Sequence, residues 1–255
     1  MLKVIATGKG GVGKTTTISN LATMFAREGK NVMVLDTDPS MNLAMTLGLP
    51  YLETATITEH KNEINDQLDE DPIFVSKHLI TEYSTLNKDG VRIMVMGAIP
   101  DEGNGCLCSA VSIMKVLLSY LDSDYSSEVY DVIFVDSQAG PEILGRGLAK
   151  DFDCNLVMTE PTPKSAEVSR QVVNLSRNLG IENNLIVINK SESEEDRVRV
   201  AEKIGVSAED SFRIPFDHKV MESDWENEIL YDSFPDCDAM KSITTIKNRL
   251  EALGE

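Results

Sequence analysis

The sequence predicts an α/β fold: a doubly wound, mainly parallel β-sheet flanked by helices. Three observations carry this reading. Six short runs, "KVIAT", "NVMVLD", "VRIMVMG", "VIFVDS", "NLVMTE" and "LIVIN", are apolar on both alternations, the pattern of strands covered on both faces. Helical patterns alternate with them, as βαβ units require. A glycine-rich turn, "GKGGVGKT", joins the first strand to the first helix.

In chain order, the first strand is followed by a helix whose face is Ile18, Leu21, Ala22 and Phe25, with Gly29 as its stop. The second strand ends in "LD". The stretch from about 49 to 90 is the least regular and reads as an insertion beside the core. A helix is predicted from Ser109 to Leu121 and another from Lys164 to Leu179, stopped by Gly180. In the tail, Ile243, Ile246, Leu250 and Leu253 share one face, while Glu251 and Glu255 spoil the basic face a membrane anchor would need. A helix docked on the core is expected there. With no internal repeat and no low-complexity linker, residues 1–255 read as one domain.

Composition narrows the function. Apolar residues make up 42% of the chain, enough for a large core. The net charge of −18 argues against a nucleic-acid partner, which needs a basic footprint. Tyr51 to Gly103 holds eleven acids against four bases, a solvated face or one that repels anionic surfaces. The opening residues lack a signal-peptide pattern and no run of 18 apolar residues occurs, so a cytoplasmic location without stable membrane binding is expected. Four cysteines in a reducing compartment point to metal, redox chemistry or packing rather than a disulfide framework.

Gly8 to Thr15 matches G-x-x-x-x-G-K-[ST] in the strand–loop–helix context the motif requires. Backbone N–H groups of Gly8, Lys9, Gly10, Gly11, Val12 and Gly13 are expected to turn inward around phosphate oxygens, with Thr16 closing the loop at the helix start. Lys14 is placed to reach the β- and γ-phosphates and the Thr15 hydroxyl to ligate Mg²⁺, which makes ATP and Mg the expected cofactors. Carboxylates end two strands: "DTDPSMN" carries Asp36 and Asp38, and "VIFVDSQAG" carries Asp136 and then Gly140.

Lys9, a second lysine just after the first glycine, makes the loop resemble the "deviant" Walker A of the MinD, ParA and nitrogenase-iron-protein family, the SIMIBI class of P-loop NTPases. That resemblance implies an ATPase and an ATP-dependent homodimer in which Lys9 crosses to the partner's nucleotide. It implies that Asp38 orients the attacking water, that Asp36 and Asp136 serve Mg²⁺ directly or through water, and that the Gly140 N–H senses the γ-phosphate. "VINK", with Asn189 and Lys190, and "RIPFD", with Pro215 and Asp217, resemble the family's adenine-contacting turns. "TEPTPKS" resembles its strand-to-helix turn beside the nucleotide.

The remaining signal is "GNGCLCSA", with Cys106 and Cys108 behind two glycines. Thiolates at i and i+2 can chelate one soft or borderline ion such as Zn²⁺, Ni²⁺ or Cu⁺, and a two-fold dimer would complete a four-sulfur site. Two packed or idle cysteines are the plainer alternative. The longer string "VMGAIPDEGNGCLCSA", together with "AGPEILGRGLA", resembles the CooC-type nickel-insertion ATPases. The resemblance implies nickel or zinc at Cys106 and Cys108 and a client nickel enzyme. Ser137-Gln138 stand where Met-Glu is expected in closer relatives, which leaves the client open between carbon monoxide dehydrogenase and acetyl-CoA synthase. Two other readings share the same engine: a MinD/ParA-type spatial switch, disfavoured by charge, and an iron–sulfur carrier ATPase, which uses C-x-x-C instead. Cys154 reads as a buried strand residue and Cys237 as a helix-start or packing residue.

Overall fold

The computed structural model describes residues 1–50, 55–68, 72–97, 108–123, 129–145, 148, 150 and 152–254. In chain order the elements are β1 (Leu2–Gly8), α1 (Lys14–Arg27), β2 (Val32–Asp36), α2 (Asn42–Thr46), α3 (Ile57–Leu68), α4 (Pro72–Glu82), β3 (Ser84–Leu86), β4 (Arg92–Val95), α5 (Cys108–Leu121) and β5 (Val132–Asp136). They continue with α6 (Glu142–Gly145), β6 (Cys154–Thr159), α7 (Pro163–Asn178), β7 (Asn183–Ser191), α8 (Glu194–Ile204), β8 (Ser211–Pro215), α9 (His218–Trp225), α10 (Leu230–Ser233) and α11 (Asp238–Gly254).

The eight strands form one sheet in the order β3-β4-β2-β5-β1-β6-β7-β8. Every pairing is parallel except β3 with β4, an antiparallel edge. The doubly apolar strands are explained by two cores. Ile5, Met33, Leu35, Ile133 and Val135 face the layer of α3, α4, α5, α7 and α8. Val4, Ala6, Val32, Val34, Val132 and Phe134 face α1, α2 and α11. Each central strand therefore fills one core with its odd residues and the other with its even ones. β1 sits between β5 and β6, so the crevice beyond its carboxyl end is a switch point where open α/β sheets bind ligands.

The sequence and the structure differ in two places. The stretch expected to be least regular holds α3, α4 and β3. Ile57 and Ile64 of α3 and Val75, Leu79 and Ile80 of α4 are buried against α5, a pairing set by tertiary contact rather than by a long local repeat. "RIP", read only as a turn, ends β8 at the far edge of the sheet, where a proline costs no ladder bond. The predicted tail helix is α11, whose Ala239, Met240, Ile243, Ile246 and Leu250 are buried in the second core. Among the described residues no helix is long and apolar enough to cross a membrane.

Candidate nucleotide site

The loop after β1 owes its shape to two glycines that nothing larger could replace. A Cβ on Gly8 would lie 2.2 Å from the Met158 carbonyl oxygen of β6, and one on Gly13 would lie 2.2 Å from Asn189 Nδ2. Both also adopt positive φ, +140° and +94°. Gly13 is the N-cap of α1 and offers no side-chain cap, so the first N–H groups of the helix are left for a ligand.

Lys14 opens α1. Its side chain is folded into the loop, with Nζ donating to the Lys9 carbonyl at 3.4 Å. Burial lowers its pKa, an effect opposed by the charges of Asp136 and Asp38. Next to it, Thr15 Oγ1 donates to Asp136 Oδ2 at 2.7 Å. Asp136 ends β5 and Asp36 ends β2, and the two are register partners on neighbouring strands. Both are buried. Asp36 Oδ1 accepts the Asp38 N–H at 3.0 Å, whereas Asp36 Oδ2 and Asp136 Oδ1 are buried with no hydrogen-bond partner among the described residues. Burial pushes the Asp136 carboxyl up to about 6, against the pull of Thr15 and Lys14. Burial and the neighbouring Asp136 raise Asp36 well above the ordinary carboxylate range. Two buried carboxylates beside a threonine hydroxyl, each with a bare oxygen, form a hard-oxygen donor set. It fits a Mg²⁺ ion that takes its other ligands from phosphate and water.

Asp38 is half-buried at the mouth of this group. Its Oδ1 accepts the Ser40 N–H at 2.9 Å and the Ser40 hydroxyl. The cleft in front has a volume of about 500 Å³. Its walls are Gly10, Gly11, Gly13, Lys14, Thr15 and Thr16 of the loop, Asp38, residues of α2 and, at the far end, Asp224 and Asn227. Lys9 is exposed, and its side chain makes no hydrogen bond or ion pair with the described residues.

Of the residues read from the sequence as adenine contacts, Asn189 and Lys190 hold the loop, and none of the four is among the residues that line that cleft. Asn189 Nδ2 donates to the Val12 carbonyl at 2.9 Å. Lys190, at φ 54°, donates through Nζ to the Gly11 carbonyl at 2.9 Å and to Glu160 Oε1 at 2.7 Å. Pro215 ends β8, and Asp217 caps α9 by accepting the Lys219 N–H at 3.0 Å while its other oxygen accepts the Ala239 N–H at 3.3 Å. Asp224 and Asn227 were not found in the sequence. The only local signal is the turn "ENE" after α9, where Asn227 has φ 55°. Gly140 lies across from the loop and donates its N–H to the Gly8 carbonyl at 2.9 Å, tying the segment after Asp136 to the phosphate loop.

Cys106 lies outside the described residues; Cys108 opens α5, its side chain likewise outside them. Cys154 is buried on β6, and burial pushes its thiol up to about 12, so it is an inert packing residue. Cys237 is half-buried before α11, and its sulfur accepts the Met240 N–H at 3.4 Å.

Fold, loop and paired carboxylates together define a P-loop nucleotide-binding protein. The sequence profile of the CobQ/CobB/MinD/ParA nucleotide-binding domain matches residues 3–230, and the chain belongs to that family. The carbon monoxide dehydrogenase accessory protein CooC of Rhodospirillum rubrum is 28% identical to it, over 92% of each chain. Among solved structures, the cell division ATPase MinD of Pyrococcus furiosus superposes with a TM-score of 0.73 at 21% identity, over 99% of this chain and 100% of its own. The Pyrococcus horikoshii MinD complexed with Mg-ADP gives 0.71 at 20% identity, over 99% and 97%.

Proposed function

We propose that this chain is a cytoplasmic ATPase of the CooC type: it binds Mg-ATP, dimerises on it, and holds nickel or zinc at the dimer axis for delivery to a nickel enzyme such as carbon monoxide dehydrogenase or acetyl-CoA synthase. The observation that carries the ATPase half is the pair of bare carboxylate oxygens on Asp36 and Asp136, set beside Thr15 and Lys14. Mg²⁺ bound there would neutralise charge developing on the phosphates. Lys14 holds the β- and γ-phosphates, and Asp38 places a water in line with the γ-phosphate. Lys9, exposed and without a partner among the described residues, is free to reach a second subunit. The turns at Asn189–Lys190 and Pro215–Asp217 are assigned to the base end of the nucleotide.

The metal half is supported by the G-C-x-C string and by the similarity to CooC along nearly the whole chain. Two thiolates from Cys106 and Cys108 and two from the partner would close one site, so metal and ATP favour the same dimer and strengthen each other. The test is a nickel titration followed by absorbance and sedimentation, with and without ATP. One ion per two chains is expected, bound more tightly with ATP and lost in Cys106→Ser and Cys108→Ser while ATP binding persists. Metal binding unchanged in the double variant would remove these cysteines as ligands. ATP-driven dimers that take up no metal but sediment with anionic vesicles or DNA would favour the spatial-switch reading instead.

A further inference from the structure

We infer that the chain carries a second ligand site, for a small dianion, in the pocket between the later turns of α5 and the segment leading into β6. The pocket has a volume of about 270 Å³. Residues 115, 118 and 119 of α5 and Asp122, in the turn that follows it, form one of its walls at i, i+3, i+4 and i+7. Three lysines line it, Lys3, Lys115 and Lys150, against the single carboxylate of Asp122. The lining thus holds two net positive charges in a chain whose net charge is −18. Such a local reversal of sign concentrates anions at this point and nowhere near the acidic remainder of the surface.

Lys3 makes the pocket more than a patch of surface lysines. It is 8% exposed, and its Nζ has one acceptor among the described residues, Asp122 Oδ2 at 2.8 Å. An ammonium group carries three donor protons, and a buried donor left without an acceptor is costly. A ligand oxygen in the pocket would supply what Asp122 does not. Lys115 is half-buried and Lys150 exposed, and neither side chain makes a hydrogen bond or ion pair with the described residues. The Ser119 hydroxyl adds a neutral donor, and Leu118 and Phe152 give apolar walls on either side. Two charges, a short apolar interior and a small volume select a dicarboxylate or a phosphate over a nucleotide. The site rests on its own geometry and stands whether or not the chain handles a metal. Its placement also matters: α5 begins at Cys108, and residues 148, 150 and 152 come after the segment that Gly140 ties to the phosphate loop. An anion gripped by Lys115 and Lys150 would clamp those two elements together.

The test is amide-resolved NMR of the full chain saturated with Mg-ADP, repeated on Lys14→Ala so that the phosphate loop cannot compete. Inorganic phosphate and succinate are titrated separately. A saturable one-to-one shift of the Lys115, Ser119 and Phe152 amides with either anion is expected, and the anion that gives it identifies the ligand class. Affinity should fall about tenfold in Lys115→Gln/Lys150→Gln, which removes two charge-assisted contacts at solvent-reached positions and leaves Lys3 in place. It should weaken further at high ionic strength. Absence of saturation with both anions, or equal binding to the double variant, would overturn the proposal.

Discussion

Two sets of aspartates in this molecule are built from the same residue and behave in opposite ways. Asp36 and Asp136 end neighbouring strands in the middle of the sheet, buried, each with one oxygen that has no hydrogen-bond partner among the described residues. Asp196 and Asp217 belong to the last strands and helices at the far side, and their oxygens are used. Asp196 Oδ2 accepts the N–H groups of Glu192 and Ser193 in a capping box on α8. Asp217 caps α9 and ties it to α11. Burial and charge repulsion raise the pKa values of the first pair. In the second pair burial works the same way, but backbone donors prevail and the values fall below the ordinary 3.8. The difference separates a carboxylate that holds the fold from one that waits for a ligand. The first kind stabilises the chain as it stands. The second costs stability until something outside the chain arrives, which is the usual trade between stability and activity.

The largest test of this division lies at the centre. Lys14→Ala should lower Mg-ATP affinity by roughly a hundredfold or more, because it removes several charge-assisted contacts at once. Calorimetry reads this directly, and retention of near-normal affinity would break the assignment of the cleft. Asp38→Ala should bind ATP yet hydrolyse it roughly a hundredfold more slowly, since placing the water matters only after binding. Single-turnover hydrolysis at the parent rate would remove Asp38 from that role.

The sharper tests compare the two aspartate sets directly. Asp136→Asn keeps an acceptor for Thr15 but deletes a buried charge. It should stabilise the metal-free protein by about 1–3 kcal/mol while abolishing Mg-dependent hydrolysis. Urea midpoints and phosphate release measure the two halves, and a destabilised variant would contradict the reading of Asp136 as unsatisfied. Asp217→Ala should do the reverse, costing about 1 kcal/mol as a lost cap. Because its folded-state pKa is depressed, that contribution is present above pH 3.8 and fades as pH falls through the folded value, so parent and variant should converge in acid. The smallest effect is expected from Glu160→Gln, which cuts an ion pair to Lys190 whose members are 27% and 46% exposed. A loss of under about 1 kcal/mol in thermal unfolding is anticipated.

How much of this was legible beforehand follows from how local each signal is. The phosphate loop was readable because glycine spacing, lysine and threonine act within eight consecutive residues. The six central strands were readable because burial on both faces makes a strand apolar at every position. The edge strands β3 and β8 gave no such signal: Ser84–Leu86 and Ser211–Pro215 are partly exposed, so their pattern is mixed. Helices α3 and α4 were missed for a related reason, as their described side chains in the core, Ile57 and Ile64, and Val75, Leu79 and Ile80, are set by packing on α5 rather than by a long local repeat. The roles of Asn189 and Lys190 as props of the loop could not be read at all, since their partners Val12 and Gly11 are 177 and 179 residues away in sequence.

The sequence by itself determined the doubly wound sheet, the nucleotide loop and the identity of the strand-end aspartates, because each rests on periodicity or on a short motif whose geometry is local. Only the tertiary structure decided which of those aspartates are left unsatisfied. It also brought Lys3 of the first strand against Asp122, just after α5, at 2.8 Å and made Asp224 and Asn227 part of the wall of the cleft. Satisfaction and convergence depend on what the rest of the chain places within hydrogen-bond reach, and that reach is fixed by packing between segments more than a hundred residues apart.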